Sequence, residues 1–174
     1  MGVLIVIKMV KLITEFLERK QEIKCELSSK SKDIIEHICK LILMPTNDSV
    51  NHWRKEIYGF LNNVKRLKGS DKLPTEKQIF NWTYNAYAER LISVSSMTLY
   101  IKSIIQEYSL HIENSIDYTL VTNQINNFCK EYFMWISKKL SANGYVPLND
   151  IYSKLDKLID KYSYFRKSGG TIYE

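Results

Sequence analysis

Residues 50–69 read VNHWRKEIYGFLNNVKRLKG, and this stretch decides the fold. Val50, Trp53, Ile57, Phe60, Val64 and Leu67 recur at steps of three and four, which places them on one face of a helix with polar residues on the other. Asp48 or Ser49 supplies an N-terminal cap, and Gly69 a stop, with Lys65, Arg66 and Lys68 in the last turn where cations suit the helix dipole. Working outward, the same period recurs and no period-two alternation interrupts it. A helix is expected from about Leu12 to Met44, ended by Pro45, with a bend at Ser28-Ser29-Lys30-Ser31 where hydroxyls compete for backbone groups. Thr75-x-x-Gln78 reads as a capping box opening one long helix on Phe80, Tyr84, Tyr87, Leu91, Val94, Thr98, Ile101, Ile105 and Tyr108. A fourth helix spans about Ile116 to Ala142 and stops at Asn143-Gly144. A fifth follows Pro147 on Ile151, Leu155, Leu158, Tyr162 and Phe165.

The expectation is therefore an all-α, up-down bundle of about five helices with short loops. Of its 174 residues, 45% are hydrophobic and 25% charged, so the chain can bury a core unaided. The bundle should occupy residues 12–167, with 1–11 an N-terminal extension and 168–174 a frayed tail. Met1 to Ile7 lacks the basic flank, length and cleavage site of a signal peptide, and Met9 is a candidate alternative start. No apolar run reaches the ~20 residues of a membrane span. The three cysteines, Cys25, Cys39 and Cys129, are widely spaced and read as free thiols, consistent with a cytoplasmic protein.

Phosphate-cradling glycine motifs, a nucleophile elbow and HExxH are all absent. No arginine has a histidine four to six residues further on, which excludes the Arg–His pair of small helical ribonucleases. The unusual arrangement is that His37, His52 and His111 each have an acid one turn upstream, in Asp33, Asp48 and Glu107. Three helices each turning a histidine inward would build an open three-histidine metal site, the basis of a metal-dependent enzyme reading. Against it, the chain has no Glu-x-x-His of the di-metal bundles. Acid–histidine pairs facing solvent explain the spacing equally simply, and no cofactor is expected.

The net charge of +6 comes mostly from Lys rather than Arg. Two basic sets stand out: Lys65, Arg66, Lys68 and Lys72 around the second loop, and Lys154, Lys157, Lys161, Arg166 and Lys167 on the last helix. They are candidates for phosphate contacts in a nucleic-acid-associated protein. Interleaved Asp156 and Asp160 also fit an ordinary solvated face. The 12% aromatic content exceeds what one core absorbs: Tyr84, Tyr87, Tyr100 and Tyr108 cannot all face inward from one helix. Some ring surface is then left for an interface or for half-buried core edges.

Residues His37-Ile38-Cys39-Lys40, then Pro45, then Trp53-Arg54-Lys55-Glu56-Ile57 resemble the His-Leu-Leu-Lys, proline and Trp-x-x-x-Ile pattern of a bacterial helical family, number twenty-nine among the domains of unknown function. Ala86-Tyr87-Ala88-Glu89-Arg90 is similar to that family's Ala-Tyr-x-x-Ala stretch, with imperfect spacing. The likeness covers roughly residues 34–90 and implies a helical protein without assigning any catalytic residue. The functional expectation is a small, non-enzymatic interaction module whose partner is another protein or a second copy of itself, with no membrane partner. Nucleic-acid association and the three-histidine metal site stand as alternatives.

Overall fold

A computed structural model describes residues 2–62, 64, 67, 72–85, 88, 94–108 and 116–163. Helix α1 runs Gly2–Leu43, α2 Val50–Asn62 and α3 Glu76–Phe80, which continues into a π turn over Asn81–Asn85. Helix α4 covers Val94–Glu107, α5 Tyr118–Asn143 and α6 Leu148–Tyr162. The bundle is all-α, with no strand among the described residues.

Most helix ends obey local chemistry. Helix α1 stops two residues before Pro45. Thr75 and Gln78 form the reciprocal capping box, with bonds of 3.1 and 3.3 Å. Asp117 caps α5 by accepting from the Leu120 N–H at 3.0 Å, and Gly144 closes it in the left-handed conformation (φ 71°). A Cβ at Gly144 would lie 2.9 Å from the Leu67 carbonyl oxygen, so glycine is required there for close approach as well as for φ.

Four features differ from expectation. Helix α1 begins at Gly2, so residues 2–11 are its first turns rather than a separate extension. It also passes through Ser28–Ser31 without interruption; the buried Ser31 hydroxyl shares the Leu27 carbonyl one turn back, donating to it at 2.6 Å, and so is satisfied within the helix. Helix α2 ends at Asn62; Val64 and Leu67 remain buried but are held by turns, their N–H groups donating to the Leu61 and Val64 carbonyls. Where one long third helix is expected, the described residues form α3, the π turn and α4, with only residue 88 described between Asn85 and Val94; six α-helices are present among the described residues. Thr83 donates its hydroxyl to the Ile79 carbonyl at 2.8 Å inside the π turn, where the ladder is rearranged. Gly69, Tyr87 and the tail at 168–174 lie outside the described residues.

Helix α5 is the central rod, packing against α1, α3, α4 and α6. Its Val121, Ile125, Phe128, Tyr132, Phe133, Ile136 and Leu140 are buried. The second half of α1 is the other wall, contributing Ile23, Leu27, Ile34, Ile38, Leu41 and Ile42, and α2 packs along it. Tyr84, Tyr100 and Tyr108 are half-buried at the margins of this core, which accounts for part of the aromatic surplus. The ring of Tyr108 meets Trp53 edge-on at 5.9 Å.

Candidate interaction surface

At about 1.5 Å per residue, a 42-residue helix is ~63 Å long, twice what a small bundle can cover. The core claims α1 only from Ile23 onward. Before that the helix projects, and its side chains from Leu4 to Arg19 are all exposed. Ile5, Val6, Met9, Val10, Leu12, Ile13, Phe16 and Leu17 fall on one side of this projecting arm, at the helical period, and are between 49% (Phe16) and 65% (Leu12) exposed. Lys8, Lys11, Glu15 and Glu18 occupy the other side.

The arm's apolar face continues the buried one. Val6, Met9, Ile13 and Phe16 lie at the same angle about the helix as Ile23, Leu27, Ile34, Ile38 and Leu41, with the polar run of residues 18–22 and Ser31 interrupting the stripe. The lower part of this seam is filled by the chain's own helices, and the upper part has no helix against it among the described residues. At the root of the arm, where it meets the segment leading into α3, lies a cavity of about 480 Å³ lined by the apolar Phe16, Ile23, Leu73 and Pro74 and by Arg19, Lys20, Lys72, Thr75 and Gln78. The signal for this surface was already present in the spacing of Val6, Met9, Ile13 and Phe16. An expectation that starts the helix at Leu12 and treats residues 1–11 as an extension passes over it.

The two described histidines of the expected three-histidine set, His37 and His52, both meet one carboxylate, that of Glu56. His37 is buried at the α1–α2 contact, where its Nδ1–H donates to the Asp33 carbonyl at 2.6 Å and its Nε2 meets Glu56 Oε2 at 2.5 Å. His52 is exposed and approaches the same Glu56 oxygen at 3.3 Å. So the acid that brings two histidines together is Glu56, on α2, and neither the Asp33 nor the Asp48 carboxylate serves as expected. Glu56 itself occupies the point both rings face. Among the described residues no group of three or more His, Cys, Asp or Glu is arranged to hold a metal ion. His111 lies outside them.

Of the basic sets, Lys65, Arg66, Lys68, Arg166 and Lys167 lie outside the described residues. Lys72 is exposed beside the cavity, and Lys154 and Lys157 lie along α6. Lys161 is engaged by Glu131, which also accepts from the Tyr162 hydroxyl. These two donors, Lys161 first, hold the Glu131 carboxyl below its ordinary range. Elsewhere, Lys40 is nearly buried, bonds Glu36 at 2.9 Å and sits 5.5 Å above the Tyr108 ring. Burial alone would raise the Glu36 carboxyl, but the Lys40 bond and charge outweigh it and the net shift is downward. Burial pushes the hydroxyl of Tyr100, a neighbour of Glu36, well up. Cys39 and Cys129 are fully buried thiols raised by the same cause, which makes them inert packing groups. Cys25 is exposed on α1.

No protein-family model, curated protein or solved structure matches the chain. No helix among the described residues is long and apolar enough to cross a membrane. The arm's apolar face is therefore the strongest candidate site.

Proposed function

We propose that this protein is a helical interaction module that engages a protein partner through the projecting half of α1. The observation that carries the reading is the apolar face from Ile5 to Leu17, exposed although it prolongs the seam on which the core is built. Contiguous apolar patches of this extent mark contact surfaces, because leaving them in water forgoes the free energy that burial supplies elsewhere on the same helix. The body, with its seam closed by α2, α5 and α6, is then a rigid mount that holds the arm away from itself.

The nucleic-acid alternative draws on the Lys-rich sets, and it is the weaker reading because Lys161 is already spent on Glu131 and Tyr162. The metal-enzyme alternative is weaker still, since Glu56 takes both described histidines.

The test is a photo-reactive side chain placed at Met9, within the apolar face, in the cells that make the protein. A discrete covalent adduct to a protein, whether another chain or the same one, is expected. Irradiation that leaves only the unmodified 20.5 kDa chain overturns the reading.

A further inference from the structure

The cavity at the root of the arm has a lining of two kinds. Phe16, Ile23, Leu73 and Pro74 are apolar, Arg19, Lys20 and Lys72 are cations, and Thr75 and Gln78 complete the wall. No carboxylate is among them, although Glu15, Glu18 and Glu22 stand on the same stretch of α1 and Glu76 follows Thr75. Lys72 is engaged by another group, so the charge that counts is that of Arg19 and Lys20. Neither of these pairs with a carboxylate among the described residues.

The two polar side chains add donors. Thr75 Oγ1 accepts the Gln78 N–H at 3.3 Å, and Gln78 Oε1 accepts the Thr75 N–H at 3.1 Å. The capping box thus occupies the acceptor oxygens and leaves over the Thr75 hydroxyl proton and the protons on Gln78 Nε2. What remains to meet a ligand is positive charge and N–H or O–H groups beside bare hydrocarbon.

Helix geometry interleaves these chemistries. Phe16 and Ile23 lie two turns apart on one line of α1, with Arg19 on one side of that line and Lys20 on the other. A molecule resting on the line, with Leu73 and Pro74 across from it, has a cation on each flank. A small inorganic anion would leave the apolar walls in water, a neutral apolar molecule would leave the donors unmet, and a cation would be repelled. The volume of about 480 Å³ lies within the ~300–1,000 Å³ of small-molecule sites.

We infer that this cavity binds an organic anion with an apolar body, of the class of medium-chain fatty acids and alkyl phosphates. Its acidic group is held by Arg19 and Lys20, and its hydrocarbon lies on Phe16, Ile23, Leu73 and Pro74. The site shares only Phe16 with the exposed face of the arm, and it adds a small-molecule ligand to the protein contact proposed above.

The experiment is equilibrium dialysis of the full chain against dodecanoate at up to about 1 mM, where a weak site still registers. One molecule per chain with a Kd below about 100 μM is expected. Dodecyl phosphate in the same assay shows which acid group the cations prefer, and binding of either supports the site. Dodecyltrimethylammonium carries the same tail on a cation, whereas acetate and inorganic phosphate carry the charge without the tail; each should bind at least ~10-fold more weakly. Arg19→Gln combined with Lys20→Gln, on the surface of α1, should weaken dodecanoate at least ~10-fold with the helical circular dichroism unchanged. A dodecanoate with a photo-reactive group at the end of its tail should form adducts on peptides holding residues 16–23 or 73–78. The inference is overturned if neither anionic amphiphile binds by about 1 mM, or if dodecyltrimethylammonium binds as tightly as they do. A Kd indifferent to the double variant, or adducts confined to residues 4–13, overturns it as well. None of these readouts involves a partner protein, so the Met9 photo-adduct tests the proposed function independently of them.

Discussion

The loop between α5 and α6 is fastened to the end of α2 by one side chain. Asn62 is buried, donates its Nδ2–H to the Val146 carbonyl at 2.8 Å and accepts the Val146 N–H on Oδ1 at 3.0 Å. Val146 is only 1% exposed, so neither of its backbone groups has water to fall back on. In Asn62→Ala both lose their partner at once. Each orphaned buried group costs about 1–3 kcal/mol, and water entering the vacated volume recovers part of that, so a loss of about 2–4 kcal/mol is expected. This is a large share of the ~5–15 kcal/mol that stabilises a typical domain. Urea unfolding followed by circular dichroism should show the midpoint falling by roughly 1–2 M at an m-value near 2 kcal/mol/M. Asn62→Asp provides the internal control. Its carboxylate can accept the Val146 N–H but faces the carbonyl with a negative charge, which raises its folded pKa above the unfolded value. Its deficit relative to Asn should therefore shrink as pH falls and the protonated acid regains a donor. A midpoint shift under about 0.5 M for Asn62→Ala, or an Asp deficit that does not move with pH, would refute the clamp.

Gly144→Ala combines a left-handed backbone with a Cβ pressed against the Leu67 carbonyl, and should cost more than the ~1–2 kcal/mol of the conformation alone in the same urea assay. Tyr132 is fully buried with no hydrogen-bond partner for its hydroxyl among the described residues, so Tyr132→Phe should leave the melting temperature unchanged or raise it; a fall worth more than about 1 kcal/mol would show that the hydroxyl is satisfied. Glu36 and Glu131 are held below their ordinary range by Lys40 and Lys161, so they contribute stability above the unfolded carboxyl value of about 4.3. That contribution is lost as pH falls through their lower folded values. Urea midpoints measured between pH 6 and pH 3, about the window that value implies, should drop less steeply for Glu36→Gln and Glu131→Gln than for the parent. On the alkaline side, burial raises Tyr100 and Tyr132, so stability should decline above about pH 10, where the unfolded chain ionises its tyrosines first.

What the linear order of residues settled was whatever neighbours along the chain can settle. The three-four recurrence of apolar side chains selected helix throughout. Pro45, the Thr75–Gln78 box and Gly144 set ends, because each acts on backbone groups within a turn of itself. The π turn that continues α3 was not legible, since it depends on what the surrounding helices accept at Thr83 and its neighbours. Nor was the destination of His37 and His52. Both had an upstream acid at helical spacing, yet Glu56 reaches them because α2 lies against α1, a relation between elements that spacing within either helix does not encode. The Asn62–Val146 clamp joins residues 84 apart and has no local signature at all. Most consequential is α1, which carries apolar side chains at one angle both before and after the polar run of residues 18–22. Periodicity marks both stretches as wanting burial, but only packing decides which is buried: among the described residues, other helices cover α1 from Ile23 onward and none covers it before that.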